Sequence, residues 1–88
     1  MHSFLVTYTL KGESDYPGLR GALKRLPHWH CLGGTWLVRS DRTARELFAD
    51  LEQHLQPDDQ LLVFRVGPDA CWSKTFPPEC QAWLEKNL

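Results

Sequence analysis

The sequence predicts a small α+β domain in which two helices cover one face of a four-stranded antiparallel sheet. Three patterns indicate this class: two β-branched and aromatic runs near the ends of the chain, two amphipathic helical patterns between those runs, and a Gly-Gly pair between two further strand-like runs. In chain order the elements are strand, helix, strand, strand, helix and strand. A short helix follows the last strand.

The first and last strands are predicted from composition. Residues 4–10 and 61–66 are rich in β-branched and aromatic side chains and contain neither Gly nor Pro. Because apolar strands from the two ends of a small chain commonly pair, we expect these two strands to lie side by side in the middle of the sheet. The segments between them would then supply edge strands and covering helices.

Alternation along the last strand predicts which of its side chains reach the core. The side chains expected to face the helices are Leu62, Phe64 and Val66. Arg65, together with Leu61 and Val63, would lie on the opposite face. Because an isolated cation is costly when it is sealed without a partner, we expect Arg65 to meet a carboxylate, a backbone carbonyl or a phosphate.

Both helices carry start signals and apolar faces. The first is predicted to begin at Asp15-Tyr16-Pro17, since Pro suits the first turn and Asp can cap free amides, and to stop before Pro27. Its apolar face consists of Tyr16, Leu19, Ala22, Leu23 and Leu26. The second begins at a capping box formed by Thr43 and Glu46, and Pro57-Asp58-Asp59 ends it. Its apolar face consists of Ala44, Leu47, Phe48, Leu51 and Leu55.

Residues 29–32 and 35–39 are predicted to form a hairpin around Gly33-Gly34, because both glycines can adopt positive φ. A single long strand with a glycine bulge is the alternative. Residues 70–76 are expected to be an irregular or edge segment. Pro77-Pro78-Glu79 then starts a C-terminal helix whose apolar face consists of Cys80, Trp83 and Leu84.

This order of elements is that of the ferredoxin-like fold, which contains two split βαβ units. The preference for right-handed crossovers places both main helices on one side of the sheet. The other face must then be polar, covered by the C-terminal tail, or used by a partner.

Composition limits the classes of protein to consider. The 88 residues carry a net charge of −1, which is unlike the basic excess of a strong, salt-driven nucleic-acid binder. We expect one domain spanning residues 1–88, with a core small enough to favour a homo-oligomer. Three cysteines, no visible signal peptide and no apolar run of ~20 residues predict a reduced, cytoplasmic protein without a membrane span.

Several segments together resemble the small bacterial and phage proteins labelled SinR-like, and the resemblance covers nearly the whole chain. These segments are residues 4–8, 15–17, 29–32, 35–38, 61–66, 70–72 and 83–84. Through the order of elements and the strand patterns, the chain is also similar to the CRISPR-associated spacer-acquisition endoribonuclease subunit and to VapD-type toxins. The resemblance implies a ferredoxin-like homodimer, and in many relatives a metal-dependent endoribonuclease that uses a divalent ion such as Mg²⁺.

The resemblance also locates an active site, at which this chain departs from the family pattern. Relatives carry an Asp directly after the Tyr of the first strand, and the matching residue here is Thr9. A hydroxyl supplies no charge to a hard cation, so the catalytic Asp is absent. Asp15 and Asp69 are the acids considered as replacements, and Thr35 matches a small hydroxyl residue that follows the second strand in relatives.

Other side chains suggest binding rather than catalysis. The arginines considered for contacts with nucleic acid are Arg39, Arg42, Arg45 and Arg65, because guanidinium groups bind phosphate oxygens bidentately. His28 and His30 would share one strand face and Cys31 the other, which does not make a metal site, and no metal or other cofactor is predicted from these residues. Four tryptophans indicate either core and interface packing or a surface on which bases stack.

Two hypotheses therefore compete. In the first, the chain is a CRISPR-subunit-like or VapD-like homodimer that binds or acts on RNA or DNA, with its endoribonuclease activity put in doubt by Thr9. In the second, it is a non-catalytic dimeric protein-interaction module, for example a toxin–antitoxin or phage-defence component. Cleavage or salt-sensitive binding would support the first hypothesis.

Overall fold

A four-stranded antiparallel sheet with the strand order β2-β3-β1-β4 forms the centre of the computed structural model, which describes residues 1–12, 16–32, 34–67 and 69–87. The strands are β1 (His2–Thr9), β2 (His28–Leu32), β3 (Thr35–Ser40) and β4 (Gln60–Val66). The helices are α1 (Pro17–Lys24), α2 (Ala44–Glu52) and α3 (Pro78–Asn87). The α+β class and the antiparallel sheet are as predicted. No helix in these ranges is long and apolar enough to cross a membrane.

The predicted position of the last strand was wrong. β1 and β4 do pair, from Ser3 opposite Val66 to Thr9 opposite Gln60, but β4 forms an edge of the sheet. The other central strand is β3, which pairs with both β1 and β2. In this central place Trp36 and Val38 of β3 are fully buried, whereas Leu61 and Val63 of the edge strand β4 are only partly buried.

The predicted faces of β4 were inverted, and its register with β1 explains why. Residues directly opposite each other in an antiparallel pair share a face. Val63 lies opposite the buried Val6, so Val63 and Leu61 pack against the core. Leu62 and Phe64 therefore point to the other side, where they are 54% and 44% exposed.

Both α1 and α2 cover the same face of the sheet, as predicted. The shared core consists of Phe4, Val6, Tyr16, Leu19, Leu23, Trp36, Val38, Leu47 and Leu51. The predicted N-cap of α1 was wrong: the cap position is Tyr16, in a left-handed conformation with φ 49° and ψ 58°, and its side chain makes no capping hydrogen bond. Asp15 itself lies outside the described residues.

α2 begins as the sequence predicts. The Thr43 hydroxyl accepts a hydrogen bond from the Glu46 amide at 3.2 Å, and the Glu46 carboxylate accepts one from the Thr43 amide at 3.0 Å. Together these two bonds complete the capping box. The helix ends at Glu52, several residues before the predicted stop at Pro57.

The hairpin of β2 and β3 is confirmed by their antiparallel pairing, although its details differ from the prediction. Gly34 does not have a positive φ, and Gly33 lies outside the described residues. The ladder does contain a bulge, but in β2: Trp29 pairs with Leu37 and Leu32 with Thr35, so His30 and Cys31 together oppose Trp36.

The second face of the sheet is partly covered by the C-terminal segment. Residues 69–76 form neither a helix nor a strand, and α3 follows with Cys80 and Leu84 buried. The Ser3 hydroxyl, which alternates with the core residue Phe4, donates to the carbonyl oxygen of Asn87 at 2.8 Å. The C-terminal end of α3 is therefore attached to the face opposite α1 and α2.

We expect Thr43→Ala to lower the free energy of unfolding by about 1 kcal/mol, because it removes the side-chain acceptor for the Glu46 amide. Thr43→Ser is the matched control, since it keeps that acceptor. Urea unfolding monitored by circular dichroism measures both variants. Equal stability of the Ala and Ser variants would contradict the role assigned to the cap.

Candidate nucleic-acid interface

Two of the four predicted arginines line one cleft at the end of the sheet where β1 begins. This cleft, here called the basic cleft, has a volume of about 420 Å³ and is lined by residues 1–3, Arg39, residues 65–67 and Asn87. Arg39 comes from β3 and Arg65 from β4, and β1 lies between these strands. Arg39 lies opposite Ser3 and Arg65 opposite Phe4, so the two arginines line the cleft from opposite faces of the sheet, Arg39 from the α3 side and Arg65 from the side of α1 and α2.

Arg39 is held in place by two hydrogen bonds. Its Nη1 donates to Asn87 Oδ1 at 3.0 Å and its Nη2 donates to the carbonyl oxygen of Met1 at 2.9 Å. Its Nε is buried and has no hydrogen-bond partner within the described ranges. Arg39 therefore has a structural role, joining the start of β1 to α3, while it adds a fixed positive charge to the cleft.

Arg65 differs from Arg39 because it is exposed and makes no hydrogen bond or ion pair with the residues described here. It lies opposite Phe4 near the end of β4. The predicted placement on the face opposite the helices was wrong, since the register pairs Arg65 with the core residue Phe4 and so puts it on the side of α1 and α2. Its position at an edge strand leaves the guanidinium group available to a ligand.

The other two arginines are not part of the basic cleft. Arg42 forms an ion pair with Asp50 across 3.2 Å at the surface, and with that residue it lines a separate small cavity. Arg45 is exposed on α2. The run from Arg39 to Arg45, which is short in sequence, is therefore divided between two places in the fold.

A second cavity adjoins the basic cleft on the face that α3 partly covers. This apolar groove has a volume of about 440 Å³, and its apolar lining side chains are Leu5, Leu37, Phe64, Trp72, Phe76 and Leu84. Thr35, Asp69 and Cys71 also line it. Arg65, Val66 and Gly67 belong to both cavities, so the two are continuous along the end of β4.

The predicted catalytic position lies at the far end of the sheet. Thr9 is exposed and pairs with Gln60, and a cavity of about 220 Å³ beside it is lined by residues 7–9 and 60–62. Thr35 does lie near this part of β1, since its Oγ1 is 3.1 Å from Thr7 Oγ1. These neighbours offer hydroxyl and amide groups and no carboxylate.

Of the two acids proposed as replacements, Asp69 does not stand beside Thr9. Asp69 follows β4 at the end where Val66 pairs with Ser3, which is about 20 Å along β1 from Thr9. Asp69 lines the apolar groove instead. Asp15 falls outside the described residues. The side chains around Thr9 that the structure describes in one protomer do not fit Mg²⁺, which prefers carboxylate oxygens.

A different acid, which sequence reasoning missed, organises this end of the sheet. Asp59 accepts hydrogen bonds from the amides of Lys11 at 2.7 Å and Gln56 at 2.8 Å. It is also hydrogen-bonded to the hydroxyl of Tyr16, which accepts from the Gly12 amide at 3.1 Å. This network holds the loop after β1, and no pattern in the sequence joins residues so far apart.

The network shifts the pKa of both titratable members. Burial would raise the pKa of Asp59, but the amides of Lys11 and Gln56, the Tyr16 hydroxyl and the charge of Lys11 hold that pKa below its usual range. Burial and the hydrogen bond to Asp59 raise the pKa of Tyr16, against the effect of the Gly12 amide. Asp59 is therefore a carboxylate already engaged by the protein.

The two histidines lie on one face of β2, as predicted, and both contact Trp36. The rings of His30 and Trp36 stack with centroids 4.0 Å apart and an angle of 8° between their planes. His28 donates from Nδ1 to the carbonyl oxygen of Leu26 at 2.8 Å. In the part of the chain that the structure describes, no three His, Cys, Asp or Glu side chains are grouped to hold a metal ion.

Trp36 and Trp72 occupy different environments. Trp36 is buried in the core, and its Nε1 donates to the Tyr8 hydroxyl at 2.9 Å. Trp72 is half-buried and lines the apolar groove. The sequence alone does not distinguish these two environments, because they depend on which face of the sheet each tryptophan contacts.

We expect Asp59→Asn to destabilise the protein at neutral pH and to have little effect in acid. Because the folded state lowers the pKa of Asp59, its contribution is present above the ordinary carboxyl pKa of about 4 and is lost as the pH falls through the folded value. Urea midpoints at pH 7 and below pH 3 measure this difference. Asp58→Asn, at an exposed neighbour, is the control, and a pH-independent loss in Asp59→Asn would contradict the assignment.

Comparison with known proteins adds no relative. No family model matches the chain, and neither the curated proteins nor the solved structures contain a significant match.

Proposed function

We propose that the chain is a ferredoxin-like, homodimeric protein that binds nucleic acid through the basic cleft and does not cleave it. The observation that carries this proposal is that Arg39 and Arg65, from two different strands, both line one cavity. The ferredoxin-like assignment is supported by the order of strands and helices and by the common face that α1 and α2 cover.

The two arginines supply complementary properties for a phosphate ligand. Arg39 is held by Asn87 and Met1, so little conformational entropy is lost when it meets an anion. Arg65 has no competing carboxylate among the described residues and can reach a phosphate oxygen. Since the chain as a whole carries a net charge of −1, attraction is local, and few phosphates are neutralised.

The absence of cleavage is proposed from the surroundings of Thr9. The side chains beside it carry hydroxyl and amide groups, and Asp59, which precedes the pairing partner of Thr9, is engaged by two amides. Among the residues that the structure describes, the divalent ion that relatives use therefore finds no free carboxylate beside Thr9 within one protomer.

The second candidate function is a non-catalytic dimeric interaction module, and a different observation favours it. Leu62 and Phe64 are exposed on the edge strand β4, and exposed apolar edge strands are common sites of association. This function predicts a stable dimer with no affinity for RNA or DNA. Both candidates are proposed for the cytoplasm, which is supported by Cys71, an exposed free thiol.

We expect the protein to bind fluorescein-labelled RNA or DNA oligonucleotides at low salt, and Arg65→Met to weaken that binding about tenfold. The salt slope of log K should become shallower by about one unit, because one phosphate contact is lost. Fluorescence anisotropy across a salt series measures both quantities.

The matched control for this experiment is Arg45→Met, since Arg45 is exposed but lies on α2 outside the basic cleft. It should bind as the wild type does. No binding to any oligonucleotide at low salt, or an equal loss in the two variants, would reject the proposal. If the wild type and both variants form a stable dimer and bind no oligonucleotide, the interaction module is favoured.

We expect no EDTA-sensitive cleavage of RNA or DNA by the wild-type protein in Mg²⁺ or Mn²⁺. Gel assays with single-stranded and duplex substrates test this, with the Thr9→Asp variant beside them to restore the carboxylate of the family pattern. Cleavage that copurifies with the wild-type protein and disappears with EDTA would show that another residue supplies the missing ligand.

A further inference from the structure

The basic cleft and the apolar groove share one wall, formed by Arg65, Val66 and Gly67. A cationic surface thus passes directly into an apolar one. From this continuity we infer that the ligand is a single-stranded nucleic acid, with its phosphates at the basic cleft and an unstacked base in the apolar groove. The inference rests on the proposed function and names the ligand class and the position of the base.

The apolar groove has the size and lining that a base requires. Its volume of about 440 Å³ lies within the range of small-molecule sites, roughly 300–1,000 Å³. Phe64, Trp72 and Phe76 supply aromatic surface from the edge strand and from the segment before α3. Aromatic side chains beside a cationic track are the recurring design of single-strand binding sites, because every base has a face on which it can stack.

Charge separates the two parts of the ligand. Arg39 lines the basic cleft alone and Asp69 lines the apolar groove alone, while Arg65 belongs to both. A phosphate is therefore favoured on the Arg39 side of the shared wall, away from the Asp69 carboxylate. The same carboxylate can accept a hydrogen bond from the amino group of a base. The occupant that satisfies both cavities is anionic at one end and flat, apolar and amino-bearing at the other.

A duplex does not satisfy this arrangement. Its base faces are covered by the neighbouring base pairs, and only base edges and phosphates are presented to a protein. The phosphates of a duplex could contact Arg65, but the aromatic side chains of the apolar groove would gain nothing. Single strands, in contrast, can turn a base out at low cost.

The experiment compares three probes by fluorescence anisotropy: a single-stranded oligonucleotide, the same strand with abasic residues in place of its central bases, and the corresponding duplex. We expect the intact single strand to bind about tenfold more tightly than the abasic strand, and more tightly than the duplex. Arg65→Met should weaken the binding of the abasic strand as much as that of the intact strand, since the phosphates of the two strands are the same.

Two variants of β4 form a matched pair. Phe64→Thr removes an aromatic side chain of the apolar groove, and Leu62→Thr changes an exposed residue on the same face that does not line the groove. Thr suits an exposed strand position in both cases. Phe64→Thr should abolish the preference for the intact strand over the abasic strand, and Leu62→Thr should retain it.

Tryptophan fluorescence of the wild-type protein gives a second measurement, which does not depend on a substitution that destabilises the fold. A base stacked in the apolar groove should quench Trp72, so the wild-type protein should lose emission on adding the intact strand and Trp72→Phe should lose less. Equal quenching in the two proteins would contradict a base in the groove.

The remaining outcomes distinguish failure of this inference from failure of the proposed function. Equal affinity for intact and abasic strands, with the Arg65 effect retained, overturns this inference and leaves the proposed function standing. No binding to any probe overturns the proposed function and the inference together. If Phe64→Thr shifts the sedimentation of the protein while the preference for bases persists, the groove holds a second copy of the chain, and the inference is wrong.

Discussion

Pairing of β1 on both sides is the constraint on which the rest of the structure depends. β1 bonds to β3 along one edge and to β4 along the other. Its alternate residues Phe4 and Val6 are buried under α1 and α2, and this decides which residues of β3 and β4 face the same core. A shift of one residue in either register would exchange the faces of the paired strand.

The same pairing places two arginines that are distant in sequence at one end of the sheet. Arg39 and Arg65 lie on strands that flank β1, and both reach the cavity at its start. Arg39 also holds α3 through Asn87, so its charge is inseparable from the covering of the second sheet face. Arg65 makes no hydrogen bond or ion pair in the described part of the chain. Its substitution therefore tests ligand binding with less effect on the fold.

The two ends of β1 have different chemistry. At the end that holds Thr9, the nearby carboxylate of Asp59 stabilises the loop after β1 by accepting amide hydrogen bonds. At the other end, guanidinium groups adjoin an aromatic groove. The SinR-like pattern would place its chemistry at the first end, whereas the binding proposed for this chain lies at the second end.

The sequence by itself determined the types of most elements, the capping box of α2 and the apolar faces of both main helices, because these depend on residues close together in the chain. Only the tertiary structure decided that β3 rather than β4 is central and that Leu62 and Phe64 are exposed. Both faces of β4 are apolar enough to be buried, so alternation alone is ambiguous and its register with β1 decides. The basic cleft and the Asp59 network likewise join residues whose proximity arises only when the strands pair.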